Sequence, residues 1–282
     1  MTIHAPDPAG TARLTAGGIW IDDRGAGDAV LLIAGLGDPA EAWELQLADL
    51  SATHRVVAFD NRGVGRSTPP VDDLSVASMA ADAVAVLDDV GVATAHVVGF
   101  SGGSVVAQEL AIRHPDRLES LTLVGTWAGP DPHLLAMVDA WAWMADAAPS
   151  ERAFYEAFFV WVYSARAHAN GFVEALVDEA LAFPHPQSST SFLAQLTAFR
   201  SHDARDRLGR IAVPTLVVAG GQDIICPPRL GRAVAEMIPD ARFVVLDDEA
   251  HQPFQESPDE FDALVREFWA TLPSLGRLTR PA

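Results

Sequence analysis

The sequence predicts an α/β fold, a mostly parallel central sheet flanked by helices, on three observations. Up to Gly125, short continuous apolar runs alternate with helical patterns, as in a sheet whose strands are buried on both faces. From Trp127 to about Arg207 the alternation stops, and helical stretches follow one another without a convincing strand. It resumes at Val213–Ala219, so one core interrupted by a helical insertion after the sixth strand is expected: 1–126 and 208–282 as core, 127–207 as insertion.

In order, 1–10 reads as a loose tail and Arg13–Asp22 as a hairpin turning at Ala16-Gly17-Gly18. Ala29–Ile33 is a buried strand ending in Ala34-Gly35-Leu36-Gly37-Asp38, and Asp38 is placed to cap the helix that carries Trp43 and Leu47. His54–Phe59 is the next strand. The loop Asp60–Ser67 after it lacks the Lys-Ser/Thr of a phosphate-binding loop, so Asp60 and its arginines are expected to tie loops together. Met79–Val90 is a helix stopped by Gly91. Ala95–Val98 runs into Gly99-Phe100-Ser101-Gly102-Gly103 and a helix to Arg113, and Leu118–Gly125 is the sixth strand. Helices are expected at Leu134–Ala145, Glu151–Ser164, Gly171–Phe183 and Ser191–Phe199. Thr215–Ala219 and Arg242–Leu246 are the last strands, Pro258–Trp269 the closing helix, and Leu272–Ala282 a frayed tail.

Composition removes several classes of function. The 282 residues carry a formal charge of −19, every basic side chain being arginine, and such a surface repels phosphate backbones and anionic headgroups. Nucleic acid and membranes are therefore not expected as partners, whereas a homo-oligomer is compatible with the sequence. Cys226 is the single cysteine, which excludes an intramolecular disulfide and a cysteine-based zinc cluster. Met1–Pro8 has neither the basic nor the apolar region of a signal peptide, and a cytoplasmic setting is expected.

The chemistry points to Ser101. A serine with glycines two before and two after it, between a strand and a helix, sits on a strained turn that exposes its hydroxyl where backbone crosses closely on both sides. A bare glycine-serine turn would not suffice. Here, however, Asp223 follows the seventh strand and His251 the eighth, so serine, aspartate and histidine lie in that order on loops at the sheet's carboxyl edge. The glycine loop Gly35-Leu36-Gly37 lies on the same edge, where the Leu36 amide can complete an oxyanion hole. Asp131 is a rival acid. His96 and His114 read as structural, the remaining histidines of the insertion lack zinc-site spacing, Asp247-Asp248-Glu249 reads as a solvated acidic turn, and Cys226 as a small buried residue.

About half of the chain's aromatic residues fall between 127 and 183. They suggest a lid over an apolar pocket, with Trp127, Trp141, Phe158 and Trp161, together with Gly35, as the expected substrate contacts.

With the elbow Gly99–Gly103, the loop Gly35–Gly37, the run Asp60–Ser67, the stretch Ala107–Ala111 with Arg113–Arg117, and the Asp223 and His251 loops, the chain resembles the α/β-hydrolases of lidded esterase and lactonase type. That branch includes 3-oxoadipate enol-lactonases, bacterial carboxylesterases and cofactor-free haloperoxidases. The resemblance spans roughly residues 13–271. It implies Ser101 as nucleophile, His251 as base and then acid, Asp223 as the carboxylate that orients the imidazole, and the amides of Gly102 and Leu36 as oxyanion donors, with no metal and no cofactor. The implied substrate is a small-molecule carboxylic ester or lactone, uncharged or weakly polar. C–C bond hydrolysis, perhydrolysis of haloperoxidase type, and a ligand-binding protein with vestigial hydrolysis are the alternatives. Two positions depart from relatives. Ala34 stands where many have histidine, and Gly102 where they carry a side chain, so either extra room beside the nucleophile or a more mobile oxyanion amide is expected.

Overall fold

A computed structural model describes residues 10–272. Apart from Gly10 and Leu272, the two expected tails lie outside the described residues. Eight strands form one sheet: β1 (Thr11–Leu14), β2 (Trp20–Gly25), β3 (Ala29–Ile33), β4 (Arg55–Phe59), β5 (Ala95–Phe100), β6 (Leu118–Val124), β7 (Thr215–Gly220) and β8 (Arg242–Leu246), in the order β1-β2-β4-β3-β5-β6-β7-β8. The pairs β1–β2 and β2–β4 are antiparallel. From β4 to β8 every neighbouring pair is parallel, so the loops after β3, β5, β7 and β8 open on one edge.

The apolar runs are continuous because both faces are covered. On one face Leu31, Ile33, Val97 and Leu121 pack with α2 (Val76–Asp89) and α3 (Gly102–Arg113). On the other, Val30, Leu32, Val98 and Val218 meet α1 (Glu44–Leu50) and the carboxyl-terminal helices α10 (Pro253–Glu256) and α11 (Pro258–Thr271). Helix α9 (Pro228–Met237) joins the first layer through Leu230 and Val234. The start of α2 is fixed by a reciprocal capping box between Ser75 and Ser78.

Five helices lie between β6 and β7: α4 (Pro132–Ala147), α5 (Glu151–Val162), α6 (Ala165–Ala169), α7 (Phe172–Ala182) and α8 (Ser189–Arg200). The sequence reading missed α6, which is too short to show a periodicity and is set by Ser164 capping the Ala167 amide. Asp38 does not cap the helical turn at Ala40–Trp43. Asp60 takes that role from the end of β4, accepting from the amides of Ala40 and Arg66 at 2.8 Å each and from the Arg66 guanidinium at 3.0 Å. Glu249 corrects a second expectation. It is buried rather than solvated, because Arg166 and Ser257 both donate to it. Among the described residues no helix is long and apolar enough to cross a membrane.

Candidate active site

At the end of β5 the chain reverses into α3 through Ser101, which has φ 50° and ψ −120°. This conformation is costly for a residue with a side chain and survives only where its surroundings impose it. The Ser101 amide donates to the Val124 carbonyl at 2.9 Å, and the Ser104 amide and hydroxyl donate to the Ser101 carbonyl at 2.9 and 2.6 Å. A Cβ at Gly99 would meet the Gly103 carbonyl, and one at Gly103 would collide with the Ile33 and Ala34 carbonyls. The two glycines thus let α3 cross directly over β3.

Asp223 and His251 come together because β7 and β8 are neighbours and their following loops interlock. The Gly221 amide donates to Leu246 and the Gln222 amide to Glu249, at 2.8 and 2.9 Å. A side chain at Gly220 or Gly221 would strike the backbone of the 247–250 turn. Asp223 is buried. Its Oδ1 accepts the amides of Ile225 and Cys226 at 2.8 Å each, which directs Oδ2 to His251 Nδ1 at 2.7 Å. His251 Nε2 in turn lies 2.9 Å from Ser101 Oγ. The imidazole is held by Phe100, whose ring centroid is 4.8 Å away, and by Gly125, where a Cβ would stand 2.9 Å from Cε1.

The amides of Gly102 and Leu36 donate to no acceptor among the described residues. The first opens α3, where four amides lack intrahelical acceptors and the helix dipole favours negative charge. The second lies in the loop after β3, which is braced from above by Gln195 Oε1 accepting from the Gly37 amide at 3.1 Å and from below by Asn61 Nδ2 donating to the Ala34 carbonyl at 2.9 Å. These contacts brace the loop that Ala34 leaves without a polar side chain.

Asp131, the rival acid, is elsewhere. It caps α4 through the amides of His133 and Leu134 and pairs with Arg229, which holds its carboxyl near 2. Cys226 is buried beside Asp223, and burial pushes its thiol well up, so it stays protonated. His96 is a core residue bonded to Ser120 at 2.8 Å and stacked on Trp269.

Two cavities meet at Leu36. A small one of about 30 Å³ is lined by Ser101, Gly102, Trp127, Trp141, Phe199 and Ile225, among others. A larger one of about 670 Å³ runs past Gly37 and Asp38 between the insertion and the loop after β3, with Phe158 and Tyr155 on its wall. Of the expected substrate contacts, Trp127, Trp141 and Phe158 line cavities. Trp161 and Gly35 line neither: Trp161 packs edge-on behind Trp141, and Gly35 is buried against Phe100. The room expected beside Gly102 is absent too, because the Phe199 ring from α8 occupies it and a Cβ there would overlap Cε2 and Cζ. Phe199, which shapes the small cavity, carries no signal in the sequence that marks it.

The family model of the alpha/beta hydrolase fold matches residues 28–258, and the chain belongs to this family. It is a hydrolase of the α/β-hydrolase type. Among its relatives is RutD of Azorhizobium caulinodans, described provisionally as a carbamate hydrolase, which is 34% identical over 250 residues covering 89% of this chain and 94% of that one. BpoC of Mycobacterium tuberculosis, described provisionally as a non-heme bromoperoxidase, is 31% identical over 89% of this chain and 97% of its own. The crystal structure of the enol-lactonase from Burkholderia xenovorans LB400 superposes with a TM-score of 0.81 at 25% identity, covering 92% of this chain and all of that one.

Proposed function

We propose that this protein is a serine hydrolase that cleaves a carboxylic ester, lactones included, through an acyl-enzyme. The observation that carries the reading is the continuous relay from Asp223 through His251 to Ser101, beside two undonated amides. In the first half-reaction Ser101 Oγ attacks the carbonyl carbon while its proton passes to His251 Nε2. Asp223 holds the other nitrogen and stabilises the imidazolium. The Leu36 and Gly102 amides receive the oxyanion, an interaction typically worth about a hundred- to a thousandfold per donor. The tetrahedral intermediate collapses as His251 returns the proton to the leaving oxygen, and water repeats the sequence on the acyl-serine.

Orientation follows from proton delivery. The leaving group must lie on the imidazole side, where Gln252, next to His251, reaches toward Asp38 on the chamber wall at 3.5 Å. The acyl group then enters the small cavity, whose volume suits an acetyl-sized chain. In this reading residues 127–207 act as a lid that sizes both ends of the substrate. Likeness to RutD favours a second reading, carbamate hydrolysis, since a carbamoyl group is as small as acetyl. The lining of Leu134, Val138, Trp141 and Leu196 offers an amide nitrogen no partner, and burying it there costs more than burying a methyl.

The test is hydrolysis of p-nitrophenyl acetate by the wild type and by Ser101→Ala. The expected result is turnover in the first and loss of at least about a thousandfold in the second. Full activity of Ser101→Ala would remove the assignment, and a ligand retained without turnover by the wild type would favour a binding role.

A further inference from the structure

We propose that the large chamber is a binding site for a cationic leaving group, an alkylammonium such as that of an amino alcohol. The inference rests on the preceding reading only for which end of the substrate enters the chamber. The wall carries Phe154, Tyr155, Phe158, Phe159 and Phe172, whose ring faces attract a cation held near them. The chain already places one cation this way: the Arg66 guanidinium lies 3.8 Å from the Trp20 ring centroid and 5.2 Å from that of Phe183, itself a wall residue.

The charged side chains on the wall are Asp38, Glu41, Glu44, Glu151 and Glu179, with no arginine among them; His185 is the one wall residue able to become cationic. Glu41 is neutralised by Arg66 and Glu44 by Arg24. Asp38, Glu151 and Glu179 have no ion-pair partner among the described residues. Asp38 matters most, because it sits beside Leu36 and Gln252 and is the wall carboxylate that feels the charge of His251. Removal from water pushes its carboxyl up to about 7, although the nearby His251 favours the charged form. A cation delivered to this place supplies the counter-charge that the carboxylate lacks. The net charge of −19 adds a long-range attraction for cations.

The experiment is calorimetric titration, at low salt, of choline and of its uncharged isostere 3,3-dimethylbutan-1-ol into the wild type, Ser101→Ala, Asp38→Asn and Phe158→Leu. The same proteins are assayed on p-nitrophenyl acetate. The expected result is a preference for choline of roughly tenfold, the order of one desolvated cation–ring contact, in the wild type and in Ser101→Ala. In Asp38→Asn and in Phe158→Leu alike the preference falls by several-fold. Equal affinity for the two alcohols, or a preference that survives both substitutions, overturns the proposal. Should Asp38→Asn fail to fold by circular dichroism, Phe158→Leu decides. The two readings fail separately: choline preference without ester turnover keeps the cation site and removes the esterase, whereas turnover without choline preference does the reverse.

Discussion

Phe199→Ala should convert an acetyl-preferring enzyme into one that accepts butyryl. The small cavity measures about 30 Å³, roughly twice the 10–15 Å³ that one water-sized group needs, so the wild type admits a short acyl chain beside Ser101. Phe199 is 5% exposed and its ring closes the space over Gly102, so removing it opens room along the acyl direction. Each methylene transferred from water into such a space is worth about 0.8 kcal/mol, and the two that separate butyryl from acetyl total about 1.6 kcal/mol, or roughly fifteenfold in kcat/KM. The assay is the ratio of kcat/KM for p-nitrophenyl butyrate to that for the acetate, each variant serving as its own reference. The ratio cancels any loss of active protein from the roughly 3–5 kcal/mol that truncating a buried phenylalanine costs. A ratio that moves by less than about threefold in folded protein would refute the assignment of this cavity to the acyl group. So would a wild type that already prefers butyrate.

Asp223→Asn should keep its Oδ1 on the Ile225 and Cys226 amides and so turn an NH₂ toward His251 Nδ1, which selects the imidazole tautomer unable to accept from Ser101. Esterase turnover then falls by about 10³–10⁴-fold at neutral pH with the fold intact by circular dichroism. Gly125→Ala adds a Cβ 2.9 Å from His251 Cε1 at a residue with φ 57°, and a shift of the imidazole by a fraction of an ångström should lower kcat by about ten- to a hundredfold, read on p-nitrophenyl acetate. Asp262 is buried next to Gln46 and Asp49, and desolvation pushes its carboxyl up to about 7 from an ordinary 3.8. The folded state therefore holds the proton more tightly than the unfolded chain, and stability declines as pH rises from about 4 to 7. Asp262→Asn should be about 2–4 kcal/mol more stable than the wild type at pH 8 and no more stable at pH 4 in urea titrations.

Ser101, Asp223 and His251 were legible because each stands just beyond a run of apolar residues, and a parallel sheet sends all such ends to one edge. Their order along the chain did the rest. The strand count and the position of the helical insertion were legible for the same reason, since a strand buried on both faces cannot hide its composition. What failed were readings that depend on a partner far along the chain. Asp38 had the position of a cap, but Asp60, 22 residues later, reaches the Ala40 amide from a neighbouring strand. Glu249 sat in an acidic run, yet Arg166 from the insertion draws it inward. Gly102 looked open, because nothing local announces that a ring from α8 will fill the space its missing side chain leaves. Trp161 belonged to an aromatic cluster, and nothing local shows that its side of α5 packs edge-on against Trp141 rather than into a cavity.

The junction between the insertion and the loop carrying His251 limits how this protein can be re-engineered. The His251 amide donates to the Val162 carbonyl at 3.0 Å, the Tyr163 hydroxyl bonds the Gln252 and Gln255 side chains, and Ser164 and Arg166 grip Glu256 and Glu249. Four residues of the run 162–166 in the middle of the insertion thus serve as the foundation of the loop that carries His251. A chimera that imports a whole insertion from another hydrolase would bring a new pocket and unmoor the histidine together. Segment 132–161 is the exchangeable module, whereas 162–166 anchors the histidine loop and Gln195 of α8 braces the loop after β3, so both stay in place.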